Sequence, residues 1–384
     1  MKIYLDNAAT TFPKPSAVYT SMMNYMMNVG TNPGRGVTTA SLAGNKVVLN
    51  CRYALMDFFN FDKVENVIFT PNITTSLNTL IKTVVKSGWH VITSSMDHNA
   101  SLRPLNGLLE NGIIELDIVP CSKQGLINID DFVNTIKPNT KLVVLSHASN
   151  IIGSIQPLEA IGKICKEKGI FFIIDSAQTA GVIPLDFYKL NCNALAFTGH
   201  KGLLGPQGTG GFLIDDTLNE ACTSFMEGGT GSLSSSISQP DFLPDKFESG
   251  TQNAPGIAGL LEGINFINTQ GIDAIREHEE YLLKKFIDGL LNIDSIKIYG
   301  LTDSSKRTAT ISVNSTKIDN SELGFLLDSE YGIITRTGLH CAPLAHKTIG
   351  TYPCGTLRFG IGPFNDIKDI NYTLNSLSTI IRKV

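Results

Sequence analysis

Residues 194–205 read ALAFTGHKGLLG. The apolar run 194–197 is long enough for one buried strand. Polarity begins at Thr198, Gly199, His200 and Lys201, and glycines with Pro206 then break the segment. A lysine on the turn just past a buried strand is partly desolvated, which lowers its pKa and makes its amine nucleophilic. Such an amine can form a Schiff base with a carbonyl. A solvated lysine in a glycine loop would spell the same letters, so the rest of the chain has to decide.

Outward from this stretch the text alternates. Short strands are expected at 66–70, 90–94, 113–119, 141–146, 170–175 and 210–214, with helices at 74–86, 100–111, 130–136 and 157–168 between them. That rhythm indicates right-handed βαβ units and a largely parallel sheet. Before it, 1–15 form an irregular entry, 16–29 an amphipathic helix with Val18, Met22, Met26 and Val29 inward, and TNPGRG (31–36) a loop into a second helix ending near Phe59. Met22, Met23, Met26 and Met27 are read as core filling. From about residue 256 the pattern becomes helices at 257–268, 273–291, 321–330 and 367–382 with strands near 296–300, 307–313, 332–336 and 356–360. The expectation is an α/β fold: a large domain over 15–255 with a mostly parallel seven-stranded sheet, and a smaller α+β domain from 1–14 and 256–384. The boundary falls at GTQNAPG (250–256).

The 384 residues suffice for a sizeable core. A hydrophobic content of 42% with 17% charged residues fits a soluble globular chain. Net charge is −4 without a basic run, so neither nucleic acid nor an anionic membrane is an expected partner. MKIYLDNAATTF is too polar, and too soon broken by Pro13, for a secretory leader, and there is no apolar run near membrane-spanning length. Seven cysteines at irregular spacings suggest reduced thiols and a cytoplasmic setting, with Cys51, Cys121, Cys165, Cys192 and Cys222 structural.

In an open α/β sheet, ligands sit beyond the carboxyl ends of the strands. Each expected strand delivers polar groups there. PNITTS follows 66–70, where Thr74 and helix-start amides suit a phosphate. His98 follows 90–94 and can stack on a flat ring. Asn150 follows 141–146 and can donate to a phenolic oxygen. Asp175 ends 170–175, with Gln178 three residues on. A carboxylate there needs a cation or donors, and a pyridinium N–H would supply one. Acid, donors, phosphate cradle and lysine together are what pyridoxal phosphate requires.

With these residues in hand the chain resembles a fold-type I, class V pyridoxal-phosphate enzyme, specifically a cysteine desulfurase or selenocysteine lyase. The likeness runs nearly end to end through YLDNAATT, NPGRG, FTPNITTSLN, DHNA, SHASNIIG, IDSAQTAG, TGHKGLLGPQGTG, FESGTQNAPG, RTGLHCAPL and GTLRFGIG. The resemblance implies Lys201 as the Schiff-base lysine, His98 stacked on the ring, Asp175 at its nitrogen and Gln178 near the phenolic oxygen. Thr74, Thr198 and His200 would hold the phosphate, with Thr251 reaching the phosphate of a neighbouring subunit in a homodimer. Asn150, Arg358 and Arg336 would bind the substrate, Arg358 clamping its α-carboxylate. Two positions depart from the family pattern: Leu339-His340 stands where His-His is frequent, and Ile73 where some relatives carry a hydroxyl.

A second centre is RTGLHCAPL, where Cys341 sits in a loop with Gly338 and Pro343. A flexible, part-exposed cysteine near cations has the setting for thiolate character. By resemblance it takes the substrate sulfur as a persulfide for an unknown acceptor protein, converting L-cysteine, or L-selenocysteine, to L-alanine. Cys354 is a lesser candidate. Two alternatives use the same residues. One is a metal site of His340, Cys341, His346 and Cys354, although the spacings match no usual zinc pattern. The other is a class V aminotransferase or epimerase, which needs no nucleophilic thiol.

Overall fold

The computed structural model describes residues 2–34 and 38–383, so Arg35 and Gly36 of the TNPGRG loop lie outside the described residues. The chain opens with β1 (Ile3–Tyr4), α1 (Ser16–Asn24) and α2 (Thr39–Phe58). The alternating stretch follows as β2 (Val67–Thr70), α3 (Ile73–Val84), β3 (Trp89–Ser94), α4 (Asn99–Glu110), β4 (Ile114–Val119), α5 (Ile129–Thr135) and β5 (Thr140–Ser146). It continues through α6 (Leu158–Lys168), β6 (Phe171–Asp175), β7 (Ala194–Thr198), β8 (Gly210–Ile214) and α7 (Asp216–Ala221). The remainder is α8 (Ala254–Gln270), α9 (Ile272–Leu291), β9 (Ile296–Tyr299), β10 (Thr310–Ser315), α10 (Asn320–Tyr331), β11 (Ile333–Ile334), β12 (Arg336–Gly338), α11 (Pro343–Ile349), β13 (Thr356–Gly360) and α12 (Ile367–Lys383).

Seven strands form one sheet in the order β2-β8-β7-β6-β5-β3-β4. Only β8 runs against its neighbours. The carboxyl ends of β2, β3, β5, β6 and β7 therefore share one edge. ALAFT of β7 is buried throughout and FFIID of β6 from its second residue on, as strands covered on both faces must be. β2, at the rim, is shielded from further pairing: Arg52 donates to the Val67 carbonyl, and Glu248 accepts from Phe69 N–H at 2.7 Å. A four-stranded antiparallel sheet, β12-β13-β10-β9, lies in the C-terminal part, and β1 pairs with β11 beside it. Ile3 and Leu5 share that part's core with Leu283, Phe286, Ile311 and Phe359.

Most expected elements stand within a residue or two of their place, and the differences have physical causes. α3 begins at Ile73 because Asn72 caps it, accepting from Thr75 N–H at 3.0 Å. Of the methionine stripe Met22 is half-buried, whereas Met23, Met26 and Met27 are exposed, because Tyr25 takes the inward position beside Val18. α7 and α11 are too short to show a period. The apolar side chains of α8, Ile257, Leu260, Ile264 and Ile267, lie in one core with Leu55 of α2 and Phe197 of β7.

Candidate active site

The turn after β7 carries Lys201 against the turn after β6. Glycine permits this contact: a Cβ on Gly202 would come 2.4 Å from the Ala180 carbonyl oxygen. From the other side, residues 10–14 clamp the lysine turn. Thr11 N–H donates to the His200 carbonyl at 3.1 Å, Lys14 Nζ to the same oxygen at 2.6 Å, and Thr11 Oγ1 to the Lys201 carbonyl at 2.9 Å. Burial brings the Lys201 amine down to about 8, and Arg358 and Arg336 push it the same way, while Asp175 and Asp6 pull it back.

Asp175 ends β6 with 5% of its surface exposed, and its Oδ1 accepts from Ala177 N–H at 2.9 Å. Burial pushes its carboxyl up to about 6, against the pull of that amide and of Lys201. Gln178 holds the Ala8 carbonyl at 3.1 Å. His98 caps α4, its Nδ1 accepting from Ala100 N–H at 3.0 Å, which leaves Nε2 as the protonated nitrogen of the neutral ring. Burial brings His98 down to about 4, reinforced by Lys201, Arg336, Arg358 and Arg103.

Among the buried polar atoms at this edge without a protein partner are Thr198 Oγ1, His200 Nδ1, Asn150 Oδ1 and Arg358 Nε. An unpaired buried polar atom costs about 1–3 kcal/mol, so their convergence marks the place of a polar ligand. Arg358, 2% exposed, holds Asp6 at 2.6 Å and the Asn150 carbonyl at 2.9 Å. Directly across the β12–β13 ladder lies Arg336, exposed and on the same face. Two guanidinium groups side by side favour an anion between them. Thr74 is exposed in the first turn of α3. Thr251 is exposed too, but lines a separate cavity with Thr75, Gly208 and Asn253 that does not include Lys201.

Cys341 is exposed, in a short turn between β12 and α11. Sequence suggested a flexible loop, whereas this turn is tied at both faces. Asn99 N–H donates to the Cys341 carbonyl at 2.8 Å, and Asn150 Nδ2 to the His340 carbonyl at 2.8 Å. His340 and Cys341 both adopt positive φ, 48° and 57°, which swings the thiol outward. His340 stacks on His346, with Nδ1 to Nε2 at 3.4 Å, and His346 Nδ1 lies 2.6 Å from Thr351 Oγ1. The four-residue metal set is thus not assembled, and among the described residues no three His, Cys, Asp or Glu side chains converge. Of the cysteines read as structural, Cys121 is half-buried and the other four are buried. Cys354 is exposed, its carbonyl held by Asn320 at 3.1 Å.

The family model for aminotransferase class-V matches residues 3–373. The chain belongs to the class-V aminotransferase family. Within that family it is 31% identical over 392 residues to a probable cysteine desulfurase of Pyrococcus abyssi, covering 100% of this chain and 95% of the relative. It is 30% identical over 393 residues to a probable cysteine desulfurase of Borreliella burgdorferi, covering 100% and 92%. The apo structure of a cysteine desulfurase from Thermococcus onnurineus NA1 superposes on this class-V chain with a TM-score of 0.94 at 29% identity, covering 100% of this chain and 95% of that one. The fold is therefore fold-type I.

Two residues of the site escaped the sequence. Asp6, the ion partner of Arg358, sits 352 positions away from it, and Lys14 lies in a stretch read as irregular. Asp6 had one signal, a lone carboxylate ending the apolar run IYL.

Proposed function

We propose that this chain is a pyridoxal-phosphate-dependent cysteine desulfurase, which moves sulfur from L-cysteine to Cys341 and releases L-alanine. One observation carries the reading: a nucleophilic lysine, a buried carboxyl, a capping histidine and unpartnered polar atoms share a strand edge, and the turn that carries an exposed thiol is tied to Asn99 and Asn150 at that edge. The unpartnered Thr198 hydroxyl and His200 nitrogen suit a phosphate, with Thr74 at the start of α3. Asp175 suits a protonated ring nitrogen, Gln178 a phenolic oxygen, and His98 a ring face.

Bound there, pyridoxal phosphate supplies an electron sink for charge developing at the substrate Cα. The protein does the rest. Arg358, assisted by Arg336, holds the α-carboxylate, with the Asn150 amide beside it. Lys201 Nζ, with a pKa near 8, exists partly as free amine at neutral pH and takes the Cα proton. Cys341 sulfur attacks the substrate sulfur, so a C–S bond breaks as an S–S bond forms. Protons then return to the three-carbon product. The sum balances: cysteine plus the Cys341 thiol gives alanine plus the Cys341 persulfide.

The persulfide is passed to an acceptor protein, for which the outward Cys341 is accessible. Thr251, on a separate exposed cavity, completes the phosphate site of a second copy in a homodimer. Exposed Met23, Met26 and Met27, with Phe225 and Met226 of the Thr251 cavity, supply apolar surface for that contact. Seven unpaired cysteines fit a reducing cytoplasm. Among the described residues no helix is long and apolar enough to cross a membrane. Incubation with L-cysteine and L-selenocysteine in parallel, measuring alanine from each, tests the reading. Alanine from cysteine supports it, alanine from selenocysteine alone indicates a selenocysteine lyase, and alanine from neither refutes both.

A further inference from the structure

The ladder between β3 and β5 stops short of the site. Its last paired residues are Ile92 and Val143, although the strands run on to Ser94 and Ser146. Beyond that point one side chain spans the gap. Asp97, with no exposed surface, accepts Ser146 N–H of β5 on Oδ1 at 2.6 Å. Its Oδ2 accepts Ser94 N–H of β3 at 2.8 Å, with the hydroxyls of Ser94 at 2.6 Å and Thr93 at 3.1 Å. Asp97 immediately precedes His98. Ser146 is the register partner of Asp175, and His147 N–H donates to the Asp175 carbonyl at 2.9 Å.

We propose that Asp97 is a positioning residue, whose carboxylate replaces the missing rungs between β3 and β5 and so sets the gap between the His98 ring and the Asp175 carboxyl. Only a carboxylate fits. Each oxygen faces a backbone N–H, a donor that cannot reverse, so an asparagine in either orientation would set its NH2 against one of them. The bridge also puts one carboxylate behind another. Asp175 is faced by Lys201 from the β7 turn and by Asp97 from the β3 turn, and Asp97 in turn by the Cys121 thiol at the end of β4.

This inference rests on the cofactor reading above, and the experiment separates the two. Apo full-length protein is titrated with pyridoxal phosphate between pH 5 and 9 for wild type, Asp97→Asn and Ser94→Ala. Wild type should bind, with affinity falling as Asp175 takes up a proton near pH 6. Failure of wild type to bind would sink the cofactor reading itself. Asp97→Asn should lose about tenfold or more in affinity at pH 8. Its acid limb should also move to lower pH, because Asp175 has lost a negative neighbour. Ser94→Ala keeps both backbone bonds and should stay within about threefold of wild type. An Asp97→Asn variant that binds like wild type overturns the proposal. So does one that binds weakly with its acid limb unmoved, since that is what plain structural damage gives. Should the variant not fold, hydrogen exchange on wild type decides. The Ser146 amide should be as protected as that of Leu145, which is paired in the β5–β6 ladder, and exchange at loop rates refutes the bridge.

Discussion

Replacing Asp175 by Asn should make the protein more stable and a worse cofactor binder, in opposite senses at one atom. The carboxyl, 5% exposed, rises from an ordinary 3.8 to about 6, chiefly through burial. That rise corresponds to about 3 kcal/mol against the ionised form. Because the folded pKa is raised, the advantage of the protonated carboxyl is complete below about pH 4 and gone above about pH 6. Asn keeps the shape and can still accept Ala177 N–H, but it never ionises. That rise already contains the attraction to Lys201, so the apo variant should gain about 3 kcal/mol over wild type at pH 8 and nothing near pH 4. Urea unfolding of both apo proteins at the two pH values measures this. Pyridoxal phosphate should meanwhile bind about 10- to 100-fold more weakly, from loss of a charge-assisted hydrogen bond to its ring nitrogen. A variant less stable than wild type at pH 8, or equally stable at both pH values, would refute the claim that the carboxylate is held at a cost for a cation.

Other outcomes follow from the same geometry. Covalent trapping of pyridoxal phosphate by apo protein under borohydride should rise with pH to half-maximum near 8, the pKa of the Lys201 amine, and disappear in Lys201→Ala. A half-maximum above pH 10 would contradict the desolvated lysine. Asp6→Ala leaves the guanidinium of Arg358, 2% exposed, without its carboxylate, and should cost about 2–4 kcal/mol in urea unfolding. Arg336→Gln should raise KM for L-cysteine by about 3- to 10-fold while kcat changes less than twofold, since the exposed guanidinium acts on the carboxylate and not on the sulfur.

Much of this was legible in the letters. Buried parallel strands write themselves as continuous apolar runs, so IFFIID and ALAFT announced both β6 and β7 and the polar residues at their ends. Residues gathered by topology alone, Lys201, Asp175, His98 and Asn150, could be placed on one edge because strands of one direction end together. Contacts that depend on distant chain were not legible. Asp6 meets Arg358 across 352 positions, and no local pattern reports an ion pair of that separation. Nor could periodicity tell Met26 from Tyr25 as the inward residue of the π-helical turn Tyr25–Val29 that follows α1, since each lies at a permitted helical spacing from Val18 or Met22. The tie on the Cys341 turn was equally hidden, because its partners Asn99 and Asn150 belong to α4 and the loop after β5.

The most direct test is intact-mass analysis of the pyridoxal-phosphate-loaded protein after brief exposure to L-cysteine, without reductant, with alanine counted in the same sample. The mass should rise by one sulfur atom per chain, on the peptide containing Cys341, with one alanine released for each sulfur gained. Cys341→Ala should bind the cofactor normally and gain none. Alanine formed by Cys341→Ala at the wild-type rate, or sulfur recovered on another cysteine, would contradict the role given to this thiol.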